Sequence, residues 1–175
     1  MTTGVLLAPG ASATRDHSQL VAIDRALAAD GVVVKRIDLP SSRPGPRVLQ
    51  AIADGAAALG ADRVVVGGRS FGGRMCSVAV AEGLPAVGLV LVSYPLHPPG
   101  RPERRRVDHF PQLDVPCLFV SGTRDAFATP EELEEATAAI PGAVTHVWVD
   151  GGDHGLRGRD DPVAEAVKAW ARAAL

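Results

Sequence analysis

The sequence predicts an α/β protein, a single domain over residues 1–175 with about six mostly parallel strands and helices on both faces of the sheet. Three observations lead there. Short β-rich runs alternate with helical patterns along the whole chain, the order that stacked βαβ units produce. Most of those runs are continuously apolar, as strands covered on both faces must be. The length of 175 residues suits one ordinary domain, and no repeat, low-complexity tract or linker divides it.

The expected strands are Val5 to Ala8, Val32 to Ile37, Val64 to Gly67, Val87 to Ser93, Cys117 to Ser121 and Val144 to Val149. Between them, Leu20, Ile23 and Leu27, and then Val48, Ile52, Ala56 and Leu59, recur at helical spacing, with Gly31 and Gly60 where helices tend to stop. A helix is expected over Arg74 to Glu82. In Thr129-Pro130-Glu131-Glu132, an N-cap, a proline at the first helical position and a capping-box glutamate together start another. Asp161-Pro162 starts the last helix, whose buried face carries Val163, Val167 and Trp170.

Composition narrows the function classes. The chain is 46% hydrophobic and 22% charged, with a formal net charge of -2. Such a balance excludes a disordered chain and gives no long-range field to draw nucleic acid or an anionic membrane. Arg101, Arg104, Arg105 and Arg106 form a local basic cluster, expected to be a solvated loop face. Met1 to Gly4 leads into the first strand without a basic leader or signal core, so a cytoplasmic location is expected. Cys76 and Cys117 each lie in an apolar stretch and are expected to be packed, unpaired thiols. The expected partner is a small acyl compound, with no cofactor, nucleic acid or membrane, for a monomer or homodimer.

The chemistry appears at Gly67-Gly68-Arg69-Ser70-Phe71-Gly72-Gly73. With 19 glycines in the chain, G-x-S-x-G alone means little, but here a strand precedes it and a helix follows. A sharp strand-turn-helix elbow needs neighbours without bulk, and Gly68 and Gly72 provide them. A phosphate loop would need a lysine and a Ser/Thr, or a G-x-G-x-x-G pattern, and neither is present.

A serine hydroxyl is a weak nucleophile and needs a base that is itself oriented by an acid. Asp125 follows the strand ending at Ser121, and His154 follows the strand ending at Val149, so three strand ends converge on one rim. The expected catalytic set is Ser70, Asp125 and His154. Asp150 and Asp153 lie too near His154 in sequence to orient its ring as easily, and their spacing matches no metal loop. Backbone amides of Phe71 and Ala11 are the candidate oxyanion donors, with Gly10 turning the chain inward. Gly10, Arg69, His97 and Phe127 are candidate pocket residues, whereas His17 is expected to be structural or exposed.

The elbow, Tyr94-Pro95-Leu96-His97-Pro98-Pro99-Gly100, Gly122-Thr123-Arg124-Asp125 and Gly152-Asp153-His154 together resemble a compact α/β-hydrolase family related to dienelactone hydrolases. The likeness covers nearly the whole chain. It implies a minimal α/β-hydrolase fold without a cap domain, and a triad of Ser70, Asp125 and His154. The chain departs from dienelactone hydrolases proper by carrying serine where they carry cysteine, and by lacking the first two strands of a full hydrolase. The first departure argues against a dienelactone substrate. The second leaves Val32 to Ile37 at a sheet edge, where Lys35 and Arg36 discourage strand addition. The expected function is a carboxylesterase-like serine hydrolase with an open site. The alternatives are a non-catalytic interaction module on the same fold and an acyltransferase using the same triad.

Overall fold

Every ladder of the sheet is parallel, and its six strands lie in the order β2-β1-β3-β4-β5-β6. The computed structural model describes residues 1–174. Its strands are β1 (Thr3–Ala8), β2 (Val33–Arg36), β3 (Arg63–Arg69), β4 (Gly88–Val92), β5 (Cys117–Gly122) and β6 (Val144–Val149). The helices are α1 (Ser18–Ala28), α2 (Pro46–Ala57), α3 (Phe71–Ala81), α4 (Pro130–Thr137) and α5 (Asp160–Ala174). All six expected strands and five helices are present.

Alternate strand residues feed two cores. Val5 and Leu7 of β1, Val90 and Val92 of β4, and Leu118 and Val120 of β5 pack with Leu20, Ile23 and Leu27 of α1 and Val163, Val167 and Trp170 of α5. Leu6, Leu89, Leu91 and Phe119 point the other way, onto Val48 and Ile52 of α2, Met75 and Val80 of α3, and Leu133 of α4. A strand with both faces covered has no polar face to present, which explains the unbroken apolar runs.

Boundaries differ where local chemistry was hidden. β3 runs to Arg69 and α3 begins at Phe71, because the turn at Ser70 passes directly from strand to helix and Arg74 N–H already bonds Ser70 C=O at 3.0 Å. α5 begins at Asp160 rather than at Asp161-Pro162, with Val163 N–H bonding Arg159 C=O. Pro162 thus sits within the first turn, where its missing donor costs nothing. The α4 start follows the expectation, with the Thr129–Glu132 capping box formed in both directions. Gly31 and Gly60 end their helices with φ of 78° and 59°.

β2 occupies one edge and β6 the other. Arg36 on β2 is held by Asp16 at 3.1 Å and Asp24 at 2.9 Å. Between β4 and β5 the described helical structure is the short turn Phe110–Gln112, so no cap domain covers the sheet's carboxyl rim. Both cysteines are buried and free, and burial pushes each thiol up to about 12. No described helix is long and apolar enough to cross a membrane.

That connecting loop is anchored through a titratable group. His109 Nε2 lies 2.7 Å from Ser77 Oγ, whose hydroxyl donates to Arg74 C=O at 2.7 Å. Burial first, then the positive charge of Arg74, lower the His109 pKa from 6.5 to about 4 against a smaller opposing effect of Asp108. Because the folded value lies below the unfolded one, the stabilisation is complete above about pH 6.5 and is lost as pH falls toward 4. After discounting for solvent screening, the expected loss is about 1–2 kcal/mol. Urea midpoints at pH 7 and 4.5 should show it, and His109→Gln should flatten the slope. Some slope remains, since burial lowers His17 and His146 as well.

Candidate active site

The site begins with backbone geometry at the end of β3. Ser70 has φ 49° and ψ -119°, a left-handed conformation rare outside glycine. Its N–H is fixed to Val92 C=O at 2.8 Å, holding the strained residue against β4. The flanking glycines are dictated by close approach. A Cβ at Gly68 would stand 2.1 Å from Ala8 O, and one at Gly72 would stand 2.3 Å from Pro9 O.

Beyond β5, Asp125 is 3% exposed. Its Oδ1 accepts Phe127 N–H at 2.8 Å, and its two oxygens lie 3.1 and 2.9 Å from His154 Nδ1. A buried carboxylate needs such donors, and here they also fix the imidazole. On its other side, His154 Nε2 lies 2.9 Å from Ser70 Oγ. Phe127 stacks on the imidazole with centroids 3.9 Å apart and planes at 24°. The arrangement can move a proton from the serine hydroxyl to an oriented imidazole.

Ser70, Phe71, Ala11, Arg69, Phe127 and His154 line one cleft of about 420 Å³. Gly10 stands behind it, where a Cβ would come 3.2 Å from an Arg69 Nη and 3.6 Å from Ser70 Cβ. The Phe71 and Ala11 amides donate to no acceptor of the protein among the described residues.

Arg69 is committed to scaffolding. Its Nε donates to Gln19 Oε1 at 3.0 Å and an Nη donates to His154 C=O at 3.0 Å. Gln19 in turn donates to Gly155 and Leu156 carbonyls at 2.9 and 3.1 Å, tying the histidine loop to α1. Gln19 was not among the expected site residues. Its signal was its place four residues before Ile23, on the buried stripe of α1.

Two expectations are corrected. His97 does not line the cleft: it is 4% exposed, its Nε2 meets Glu132 Oε2 at 3.0 Å, and its Nδ1 meets Pro98 C=O at 2.8 Å. Burial works to lower its pKa, but those two acceptors outweigh it and raise the value. Its role is to join the loop after β4 to the start of α4. Arg106, expected on a solvated face, instead lines the cleft because its backbone is pinned inward. Its N–H donates to Leu96 C=O at 2.8 Å, and its C=O accepts Tyr94 O–H at 2.7 Å. Arg101 and Arg104 remain exposed.

Arg74, Ser42, Pro44 and Pro95 complete the lining and were not singled out from sequence. Arg74 follows Ser70 by one helical turn, so its place beside the serine was legible from spacing. His17 caps α1 by accepting Gln19 N–H at 3.3 Å, as its structural reading required. Asp150 and Asp153 make no contact with the His154 ring: Asp150 meets Thr123 Oγ1 and Asp153 accepts Leu156 N–H. Among the described residues, no group of three or more His, Cys, Asp or Glu side chains could hold a metal ion.

A family model described as alpha/beta hydrolase domain matches residues 1–175. Among solved structures, Est1E from Butyrivibrio proteoclasticus superposes with a TM-score of 0.83 at 18% identity, over 98% of this chain and 88% of that one. A dienelactone hydrolase from Anabaena variabilis gives 0.77 at 20% identity, over 99% and 87%. A thermophilic esterase from Thermogutta terrifontis gives 0.75 at 22%, over 99% and 91%. At these identities the likeness is one of fold.

Proposed function

The chain belongs to the alpha/beta hydrolase domain family, and from that premise we propose that it is a serine hydrolase cleaving acyl esters through Ser70, His154 and Asp125. The observation that carries the reading is the unbroken hydrogen-bonded line from Ser70 Oγ through both nitrogens of His154 to Asp125. Its members come from three separate strand ends, a placement that packing alone does not require.

In the proposed reaction, neutral His154 takes the hydroxyl proton at Nε2 as Ser70 Oγ attacks the ester carbonyl carbon. Asp125 stabilises the imidazolium through Nδ1–H. The unpaired amides of Phe71 and Ala11 are the candidates to hold the developing oxyanion, an effect typically worth a hundredfold or more in rate. The C–O bond to the alcohol then breaks, and His154 returns the proton to the leaving oxygen. Water, deprotonated by the same imidazole, attacks the acyl-serine and releases the acid. The esterase name of the Thermogutta protein agrees with this assignment. With no cap over the rim, the reading favours short acyl groups or accessible esters over long lipid chains. One domain acting in the cytoplasm without a cofactor suffices for this chemistry.

A fluorophosphonate probe tests the nucleophile directly, because attack by Ser70 displaces fluoride and leaves a stable adduct. The expected result is labelling of the wild type, and none in Ser70→Ala or His154→Ala. Absence of labelling in folded wild-type protein would transfer the assignment to a non-catalytic binding module.

A further inference from the structure

The cleft beside Ser70 carries more positive charge than the proposed chemistry uses. Arg74 enters it from the first turn of α3, and Arg106 from the loop between β4 and β5. Among the described residues neither guanidinium makes an ion pair, whereas Arg15, Arg36, Arg105 and Arg172 each have a carboxylate partner. Arg74 Nε–H is shielded from solvent and has no acceptor. The Arg106 guanidinium reaches only Pro95 C=O, at 3.4 Å.

No acidic residue lines the cleft. Asp125 lies buried next to it, but its oxygens are taken by His154 and Phe127. Glu82, at the C-terminal cap of α3, makes no ion pair with Arg74. Arg69 differs in its partners, since its hydrogen bonds go to Gln19 and the His154 loop; burial lowers its pKa, and the nearby carboxylates of Asp125, Asp153 and Asp160 offset that only in part. Burial lowers the pKa of Arg74; the neighbouring Tyr94 oxygen offsets part of this, and the like charge of Arg106 adds to it.

Two unpaired cations at the edge of a low-dielectric cleft are costly unless an anion joins them. Their presence is not a by-product of overall composition, because the chain's net charge is -2. A guanidinium pair suits a planar carboxylate, with charge-assisted hydrogen bonds at a defined position. We propose that Arg74 and Arg106 form a subsite for a carboxylate on the substrate, so that the preferred substrates are anionic esters, of which monoesters of short dicarboxylic acids are the simplest. The cleft field would also raise the encounter rate with such esters in a salt-dependent way.

The proposal rests on the serine hydrolase reading for the bond that is cleaved, but the anion subsite can be tested without turnover. The kinetic arm compares p-nitrophenyl hemisuccinate with p-nitrophenyl butyrate, which match in acyl length and differ in charge. The wild type should show a kcat/KM for the hemisuccinate about tenfold or more above that for the butyrate. Arg106→Gln and Arg74→Gln should each reduce that ratio about tenfold, mainly through KM for the anionic ester. Arg104→Gln, exposed on the same loop, should leave the ratio unchanged, and added salt should lower it. A wild-type ratio near one, or a ratio that both cleft variants leave intact, overturns the subsite.

The binding arm titrates succinate into Ser70→Ala protein by calorimetry, with and without Arg106→Gln. Saturable binding that Arg106→Gln abolishes supports the subsite even if no ester is cleaved, in which case the hydrolase reading alone fails. Equal cleavage of both esters with no succinate binding overturns the subsite and leaves the hydrolase reading standing. Arg106→Gln serves as the decisive variant should Arg74→Gln fold poorly.

Discussion

Ser70→Gly is expected to lower kcat for a short aryl ester by about five to six orders of magnitude while raising stability by about 1–2 kcal/mol. The two effects share one cause. At φ 49° and ψ -119° a serine side chain is strained, whereas glycine enters this region freely. The fold holds the strain because the Ser70 amide is anchored on Val92 C=O and the next residue starts α3. Removing the side chain releases that strain and deletes the nucleophile together. Activity assays and urea denaturation of the same preparation check both halves. Loss of activity accompanied by a fall in stability would mean that the serine side chain supports the elbow rather than straining it.

Asp125→Asn is expected to lower kcat about ten-thousandfold with little change in the fold. Asp125 receives a proton donor on each side, Phe127 N–H at 2.8 Å and His154 Nδ1–H at 2.9 Å. An asparagine amide has only one oxygen. If that oxygen keeps the Phe127 bond, the NH₂ group faces His154 Nδ1, which must then be the bare nitrogen. The ring proton moves to Nε2 and points at Ser70 Oγ, where it blocks the acceptance of the serine proton. The kcat of the variant, measured beside fluorophosphonate labelling, should fall in step with the labelling rate. A loss smaller than tenfold would remove Asp125 from the orienting role.

The strands were legible because a parallel sheet buried on both faces writes itself as continuous apolar runs, as in Val87 to Ser93 and Cys117 to Ser121. The juxtaposition of Ser70, Asp125 and His154 was legible because each follows a strand, and parallel strands all end on the same rim. What escaped depends on contacts between distant segments. The Arg101 to Arg106 run looks uniformly solvated until Tyr94 O–H captures the Arg106 carbonyl and turns that one guanidinium into the cleft. His97 looks like a pocket residue until Glu132, already engaged in the α4 capping box, supplies a second bond. Gln19 and Arg74 were within reach of helical spacing, Gln19 through Ile23 and Arg74 through Ser70, but polar residues on an apolar stripe are easily passed over.

The interior position of β1, one strand in from the sheet's edge, bears on how the chain is made. Of the strands in this sheet β1 is made first, yet it pairs with β2 on one side and β3 on the other. Its apolar segment Val5-Leu6-Leu7-Ala8 therefore waits for Arg69 before both edges can close. At about 5–20 residues per second the wait lasts roughly 3–12 s. Throughout that interval at least one edge of the nascent segment stays an unpaired, sticky template, so translation speed and the supply of chaperones that shield emerging chains should govern the yield of folded protein more strongly than its final stability does.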